Sequence, residues 1–183
     1  MIERKIKPFP VKLIIGFIFK DYKILKEAEK ILEKKFKEID FESEIIPFNF
    51  TDYYEQEMGK DLKRKFISFK KLIMPQKIRK IKEYTIKIEK KFSFDKKRKI
   101  NIDPGYLTDS QLVLSTTKPY FHRIYLGNCI WAEVTLFYQN KTFRYFDWTY
   151  PDYRTPAYIE IFNKIREIYL TQKRELLKKC KKT

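Results

Sequence analysis

The reactive inventory of this chain is narrow. It has one histidine, His122, and two widely separated cysteines, Cys129 and Cys180. His122 and Glu133 flank Gly127-Asn128, a dipeptide that favours a two-residue hairpin turn. That turn sets Leu126 opposite Cys129, Ile124 opposite Trp131 and His122 opposite Glu133, and directly paired residues share one face of a sheet. A carboxylate beside the imidazole fixes its tautomer and raises its pKa, which suits proton transfer or one edge of a metal site. The same pair also reads as a half-buried hydrogen bond that stiffens a sheet. The next hairpin leaves two registers open. A three-residue turn at Gln139-Asn140-Lys141 adds Asp147 to form a His122, Glu133 and Asp147 group for a divalent metal, short of a zinc motif. A two-residue turn sends Asp147 to the other face.

Three further segments carry polar groups. In Asn101-Ile102-Asp103-Pro104-Gly105-Tyr106 the Pro-Gly pair predicts a type II turn at the end of a strand. Asp103 then either bonds its own backbone or presents a carboxylate at the strand end. Ser115-Thr116-Thr117-Lys118, with Arg123 close in sequence, offers Thr117, Lys118 and Arg123 to a phosphate, or else is ordinary strand threonine and a solvated lysine. Trp148-Thr149-Tyr150-Pro151-Asp152-Tyr153-Arg154 packs aromatics, an acid and an arginine ahead of a helix. Exposed, it stacks a ring and pairs an anion; buried, it seals the sheet edge with Arg154 bonded to Asp152 or to carbonyls. Tyr53-Tyr54-Glu55 has the same two readings.

The net charge is +17, from 41 basic and 24 acidic residues. Residues 60–99 hold 17 basic and four acidic residues, a net of +13, whereas 101–150 is balanced and aromatic-rich. Such a field draws polyanions, and a lysine-rich composition produces the same balance without a partner. Four glycines leave no Gly-rich phosphate loop. The cysteine spacing fits neither a metal nor a redox motif, and a reducing cytoplasmic setting is expected. No apolar run approaches the roughly 18 residues of a membrane span. Val11 to Phe19, after the basic start Met1–Lys5, reads as a buried strand and not as a signal peptide.

These residues need a frame. Val11 to Phe19 predicts a central strand, and Asp21 caps a helix over Tyr22 to Glu38 with Ile24, Leu25, Ala28, Ile31, Leu32 and Phe36 inward. A strand over Phe41 to Phe50 completes a β-α-β unit whose strands are expected to be neighbours. Thr51 to Gly59 is a loop with a helical turn, and Lys65 to Phe69 a short strand. Pro75 opens a helix with Ile78, Ile81, Thr85, Ile88 and Phe92 as its stripe and Lys77, Arg79, Lys80, Lys82, Lys87, Lys90 and Lys91 on the other faces. Strands follow at Arg98–Ile102, Gln111–Thr117, Tyr120–Leu126, Ile130–Tyr138 and Thr142–Trp148. A last helix starts at Thr155-Pro156, and the basic tail 173–183 is expected to fray. The class is α+β: one domain, 1–183, with a single mixed, mainly antiparallel sheet and about three amphipathic helices packed on it.

Several motifs occur together in order: Tyr53-Tyr54-Glu55-Gln56-Glu57-Met58-Gly59, Phe66-Ile67-Ser68-Phe69, Asn101-Ile102-Asp103-Pro104-Gly105-Tyr106-Leu107, Thr116-Thr117-Lys118, His122-Arg123-Ile124-Tyr125-Leu126, Ala132-Glu133-Val134-Thr135-Leu136 and Trp148 through Arg154. Over roughly residues 10 to 172 the chain resembles a bacterial family known as domain of unknown function 4416. The resemblance implies one small cytoplasmic domain and carries no catalytic role onto any residue. A GTP-binding label attached to some members finds no phosphate loop here.

The leading functional expectation is a protein that binds or processes a phosphate-bearing partner, RNA or a nucleotide. The basic segment attracts it, Tyr106, Trp148, Tyr150 and Tyr153 stack it, and Arg123 and Arg154 hold its anion. One alternative is a small-molecule enzyme with His122, Glu133 and Asp103 in one cleft, joined by Asp147 in the three-residue-turn register. Another is an assembly module whose basic helix docks an acidic protein. No cofactor is assigned.

Overall fold

The computed structural model describes residues 7–180, so the basic start Met1–Lys5 and the last lysines, Lys181 and Lys182, lie outside the described residues. The unbroken apolar run becomes β1 (Lys12–Phe19), buried along its whole length. Asp21 accepts a hydrogen bond from the Lys23 backbone N–H at 2.7 Å and starts α1 (Tyr22–Phe36). The expected second strand is broken into β2 (Ile39–Glu42) and β3 (Ile46–Pro47). A 3₁₀ turn and the single-turn α2 (Glu55–Met58) lead to β4 (Lys63–Phe69). Pro75 lies in the 3₁₀ turn that opens α3 (Ile78–Lys91). A small hairpin of β5 (Ser93–Phe94) and β6 (Lys97–Arg98) precedes β7 (Ile100–Leu107), β8 (Gln111–Thr116), β9 (Ile124–Gly127), β10 (Ile130–Gln139) and β11 (Thr142–Tyr145). The chain ends in α4 (Pro156–Cys180), helical through the described part of the tail.

The main sheet runs β11-β10-β8-β7-β1-β4-β2, with β3 against β4 and β9 against β10. All ladders among the described residues are antiparallel. The β-α-β unit is present, but β1 and β2 are not neighbours, because β4 pairs with both and lies between them. With α3 leading to β7 on the other side of β1, the first half is a split, ferredoxin-like unit. β8, β10 and β11 extend that sheet beyond β7.

Three layers follow. On one face, Leu25, Ala28 and Leu32 of α1 and Ile78, Ile81 and Ile88 of α3 pack on Phe17, Phe19, Ile67, Ile100 and Ile102. On the other, Phe162, Ile165 and Tyr169 of α4 cover Ile14, Phe66, Leu112 and Leu136. Each fully buried side chain of this kind contributes about 1.5–3 kcal/mol.

Two local expectations fail for identifiable reasons. Pro104-Gly105 makes no turn: both residues sit inside β7, opposite Ile15 and Ile14. The Ile102 N–H points away from β1 to the Glu89 carboxylate of α3, and residues two apart point the same way. The donor that Pro104 lacks would therefore face a side with no ladder bond to make. Gly105 is needed for proximity: a Cβ there would stand 2.5 Å from the Val113 carbonyl oxygen and 2.7 Å from Leu114 Cδ2. The first hairpin turns at Asn128-Cys129, both with positive φ, and not at Gly127-Asn128. Gly127 instead takes its positive φ beside a register shift in the β9–β10 ladder. The second hairpin has the two-residue turn Asn140-Lys141.

Candidate functional site

The site arises where the sheet comes apart. The ladder between β7 and β8 spans only Gly105–Leu107 against Leu112–Leu114. Beyond it the Ser115 hydroxyl donates to the Pro104 carbonyl at 2.7 Å, and the two strands diverge. The edge of β7 that loses its strand is taken over by side chains of α3. Glu89 accepts from the Ile102 N–H at 2.6 Å, and Lys82 Nζ donates to the Ile102 carbonyl at 3.1 Å. A cavity of about 590 Å³ fills the gap.

Arg64 of β4 forms part of its wall on the α4 side of the sheet. The residue is 2% exposed, and its guanidinium lies within 6 Å of the ring centres of Phe48, Phe66, Tyr153 and Tyr158. Nη2 donates to the Tyr153 hydroxyl at 2.8 Å and to Asp152 at 3.4 Å. Nη1 stands 3.6 Å from Asp103 Oδ2. Neither Nε nor Nη1 has a hydrogen-bond acceptor. Buried polar atoms without a partner are rare and destabilising, so this one asks for an acceptor.

The acids around it are set apart by their surroundings. Burial would raise the pKa of Asp103, but the charges of Lys82 and Arg64 outweigh it and hold the carboxyl below its usual value. Burial wins at Asp152 and at Glu89, whose carboxyls are pushed up despite Arg64 and Lys82 respectively. Arg98 closes the far end. It takes the Glu57 carboxylate in a two-pronged grip, at 2.7 and 2.8 Å, and bonds Asn101, which in turn donates to Asp103 at 2.6 Å.

The rim is stitched by Arg123. Its Nε donates to Glu133 at 2.7 Å, Nη1 to the Lys118 carbonyl at 2.9 Å and Nη2 to the Tyr150 hydroxyl at 2.8 Å. His122 Nε2 meets the same Glu133 oxygen at 3.0 Å, while Thr135 donates to the other at 3.2 Å. Across the mouth, Lys118 Nζ sits 3.7 Å above the Tyr53 ring. Behind the rim, a shallower recess is lined by Tyr120, Phe121, His122 and Trp148 and shares Lys118, Arg123 and Tyr150 with the cavity.

Residues 9–169 match the family described as Domain of unknown function (DUF4416). The chain belongs to that family. No curated protein and no solved structure matches it. The matched span of this DUF4416 chain includes every residue that lines the cavity.

Of the residues singled out from the sequence, Asp103, Thr117, Lys118, Arg123, Glu133, Tyr150 and Tyr153 come together around the cavity. His122 and Trp148 line the neighbouring recess. His122 meets Glu133 from the turn before β9 and not as a strand partner. Tyr106 packs on the opposite face of the sheet, against the core under α1 and α3. Arg154 braces its own loop, donating to the carbonyls of Thr149 and Asp147, each at 2.6 Å. The two-residue turn at Asn140-Lys141 is the register that keeps Asp147 away from Glu133. Among the described residues no group of three His, Cys, Asp or Glu could hold a metal ion, and no helix is long and apolar enough to cross a membrane.

Sequence reasoning missed Arg64, Glu89 and Arg98, and placed Lys82 among the outer, basic faces of its helix, where it is in fact buried. A signal existed for three of them. Lys82 and Glu89 are seven residues apart, each directly after a stripe isoleucine, so both sit at the same edge of the buried face. Extending the predicted strand at Lys65–Phe69 back by one residue puts Arg64 on the Phe66 face.

Proposed function

We propose that this domain binds a small phosphate-bearing molecule, a nucleotide with a single phosphate group, in the cavity between β7 and β8. The observation that carries this reading is Arg64, a cavity-lining residue whose buried guanidinium has no hydrogen-bond acceptor at Nε or Nη1. Nη1 lies on the Cδ side of the guanidinium and the Nε hydrogen on the other, so the two unfilled donors offer separate single hydrogen bonds to oxygens of an anion.

Size, lining and charge agree. A volume of about 590 Å³ suits one small molecule and excludes a folded nucleic acid. Phe50, Tyr53, Tyr54 and Tyr150 supply ring faces for a base. The lining holds five basic residues (Arg64, Lys82, Arg98, Lys118, Arg123) and four acidic ones (Glu89, Asp103, Glu133, Asp152), a net of +1. With every carboxyl ionised that balance matches one anionic group, and the raised carboxyls of Glu89 and Asp152 shift it further toward positive charge. The basic segment 60–99 adds long-range attraction, although Arg64, Lys65 and Lys82 of it are buried.

A second reading, acid–base processing of the bound molecule, is favoured by Asp152, whose carboxyl holds its proton above the ordinary range beside Arg64. Glu133 is less suited to that role, since both of its oxygens already accept hydrogen bonds.

Native mass spectrometry of the purified protein, with and without added nucleoside monophosphates, tests the proposal. An adduct of nucleotide mass is expected. No adduct with any of the four monophosphates overturns it.

A further inference from the structure

The recess beside the cavity is unlike an ordinary patch of surface aromatics. His122 is its floor: the imidazole side chain is 6% exposed and stacks on Trp148 with ring centres 5.3 Å apart and planes 16° from parallel. Nε2 is engaged by Glu133, but Nδ1 has no partner. A buried ring nitrogen without a partner is rare. Above it, Phe121 is 80% and Tyr120 is 62% exposed, their ring centres 5.0 Å apart. Phe121 meets His122 edge-on at 5.0 Å, so the open rings stand directly against the buried imidazole.

The recess and the cavity are neighbours that share Lys118, Arg123 and Tyr150 as lining residues. A ligand anchored at Arg64 and leaving through that rim passes two cations and a phenol before it reaches the exposed rings. The net charge of +17 favours a chain of phosphates along such a path. Single strands are held by basic groups along the backbone and aromatic faces that stack successive bases.

We infer that the ligand is the phosphorylated end of a single-stranded oligonucleotide, with its terminal nucleotide in the cavity and the next base on Phe121 and Tyr120. This rests on the cavity reading above and extends it from a free nucleotide to a chain end. RNA and DNA share the required chemistry.

The test compares each nucleoside monophosphate with the corresponding terminally phosphorylated trinucleotide, as RNA and as DNA, by titration calorimetry on the full-length protein at constant salt. Both 5′- and 3′-phosphorylated forms are used. The trinucleotide is expected to bind about 5- to 150-fold more tightly, the range for one to a few kcal/mol of base stacking. The double variant Tyr120→Ala/Phe121→Ala changes no charge, and neither residue lines the cavity, so monophosphate affinity is expected to hold while the trinucleotide gain disappears. A preference between the RNA and DNA arms identifies the source. If monophosphates bind and trinucleotides gain nothing, or the variant keeps the gain, this inference is overturned and the cavity reading stands. If neither class binds, both are overturned.

Discussion

Lys82 Nζ lies 3.3 Å from Asp103 Oδ1, and the two side chains start on opposite sides of the sheet. Lys82 belongs to α3, which covers the Ile102 face, while Asp103 pairs with Gly16 and shares the Phe66 face under α4. They meet because β8 has left the edge of β7, so a lysine passes where a strand would otherwise be. That substitution of side chains for backbone turns a continuous sheet into one with a polar opening.

Replacing Lys82 with methionine keeps the stem and removes the donor. The Ile102 carbonyl loses its bond from Lys82, and Asp103 loses the leading charge that holds its pKa down. The Lys82→Met variant is expected to be less stable by about 1–3 kcal/mol in urea unfolding. Unchanged stability would mean that the edge of β7 is satisfied in some other way.

Gly105 fixes where the opening begins. A methyl group at this position meets the Val113 carbonyl oxygen and the Leu114 side chain well inside contact distance. Gly105→Ala is expected to lower stability by about 1–3 kcal/mol, because the obstacle includes backbone that cannot swing aside. Thermal unfolding that matches the unaltered protein would contradict the close approach of β7 and β8.

Much of this frame could be read in advance. The buried run of β1, the Asp21 cap and the stripe of α1 are local patterns, and they survive because the core uses them directly. His122 does reach Glu133, but not through the strand pairing expected, because the turn moved by one residue. His122 ends up before β9 and not in it, and its side chain still spans to the carboxylate. The opening itself was not legible. It depends on where β8 parts from β7, a relation between strands that neither segment encodes alone. Pro104-Gly105, locally a turn, serves that parting instead.

Asp152 gives the site a pH signature. Burial keeps its carboxyl protonated above the ordinary aspartate range, with Arg64 only partly opposing this. A raised native pKa stabilises the fold below the unfolded value of about 3.9 and loses that contribution as pH rises through the native value. The stability of the unaltered protein relative to Asp152→Asn is therefore expected to fall as pH is raised from about 4 to about 7. Parallel urea midpoints across that window would show that Asp152 titrates normally. Asp103, with its depressed pKa, acts below this window: its contribution is present above about 3.9 and is lost as pH falls through the native value.

The account stands on Arg64 as the group that holds an anion. Isothermal titration of a nucleoside monophosphate, set beside the same nucleoside without phosphate, into the unaltered protein and into Arg64→Lys isolates that role, because lysine keeps the charge and loses the planar fork. Binding of the monophosphate, none of the nucleoside, and roughly tenfold to a hundredfold weaker binding by Arg64→Lys are expected, the loss of about one charge-assisted hydrogen bond. Equal affinity for nucleoside and monophosphate, or an affinity unmoved by Arg64→Lys, would contradict it.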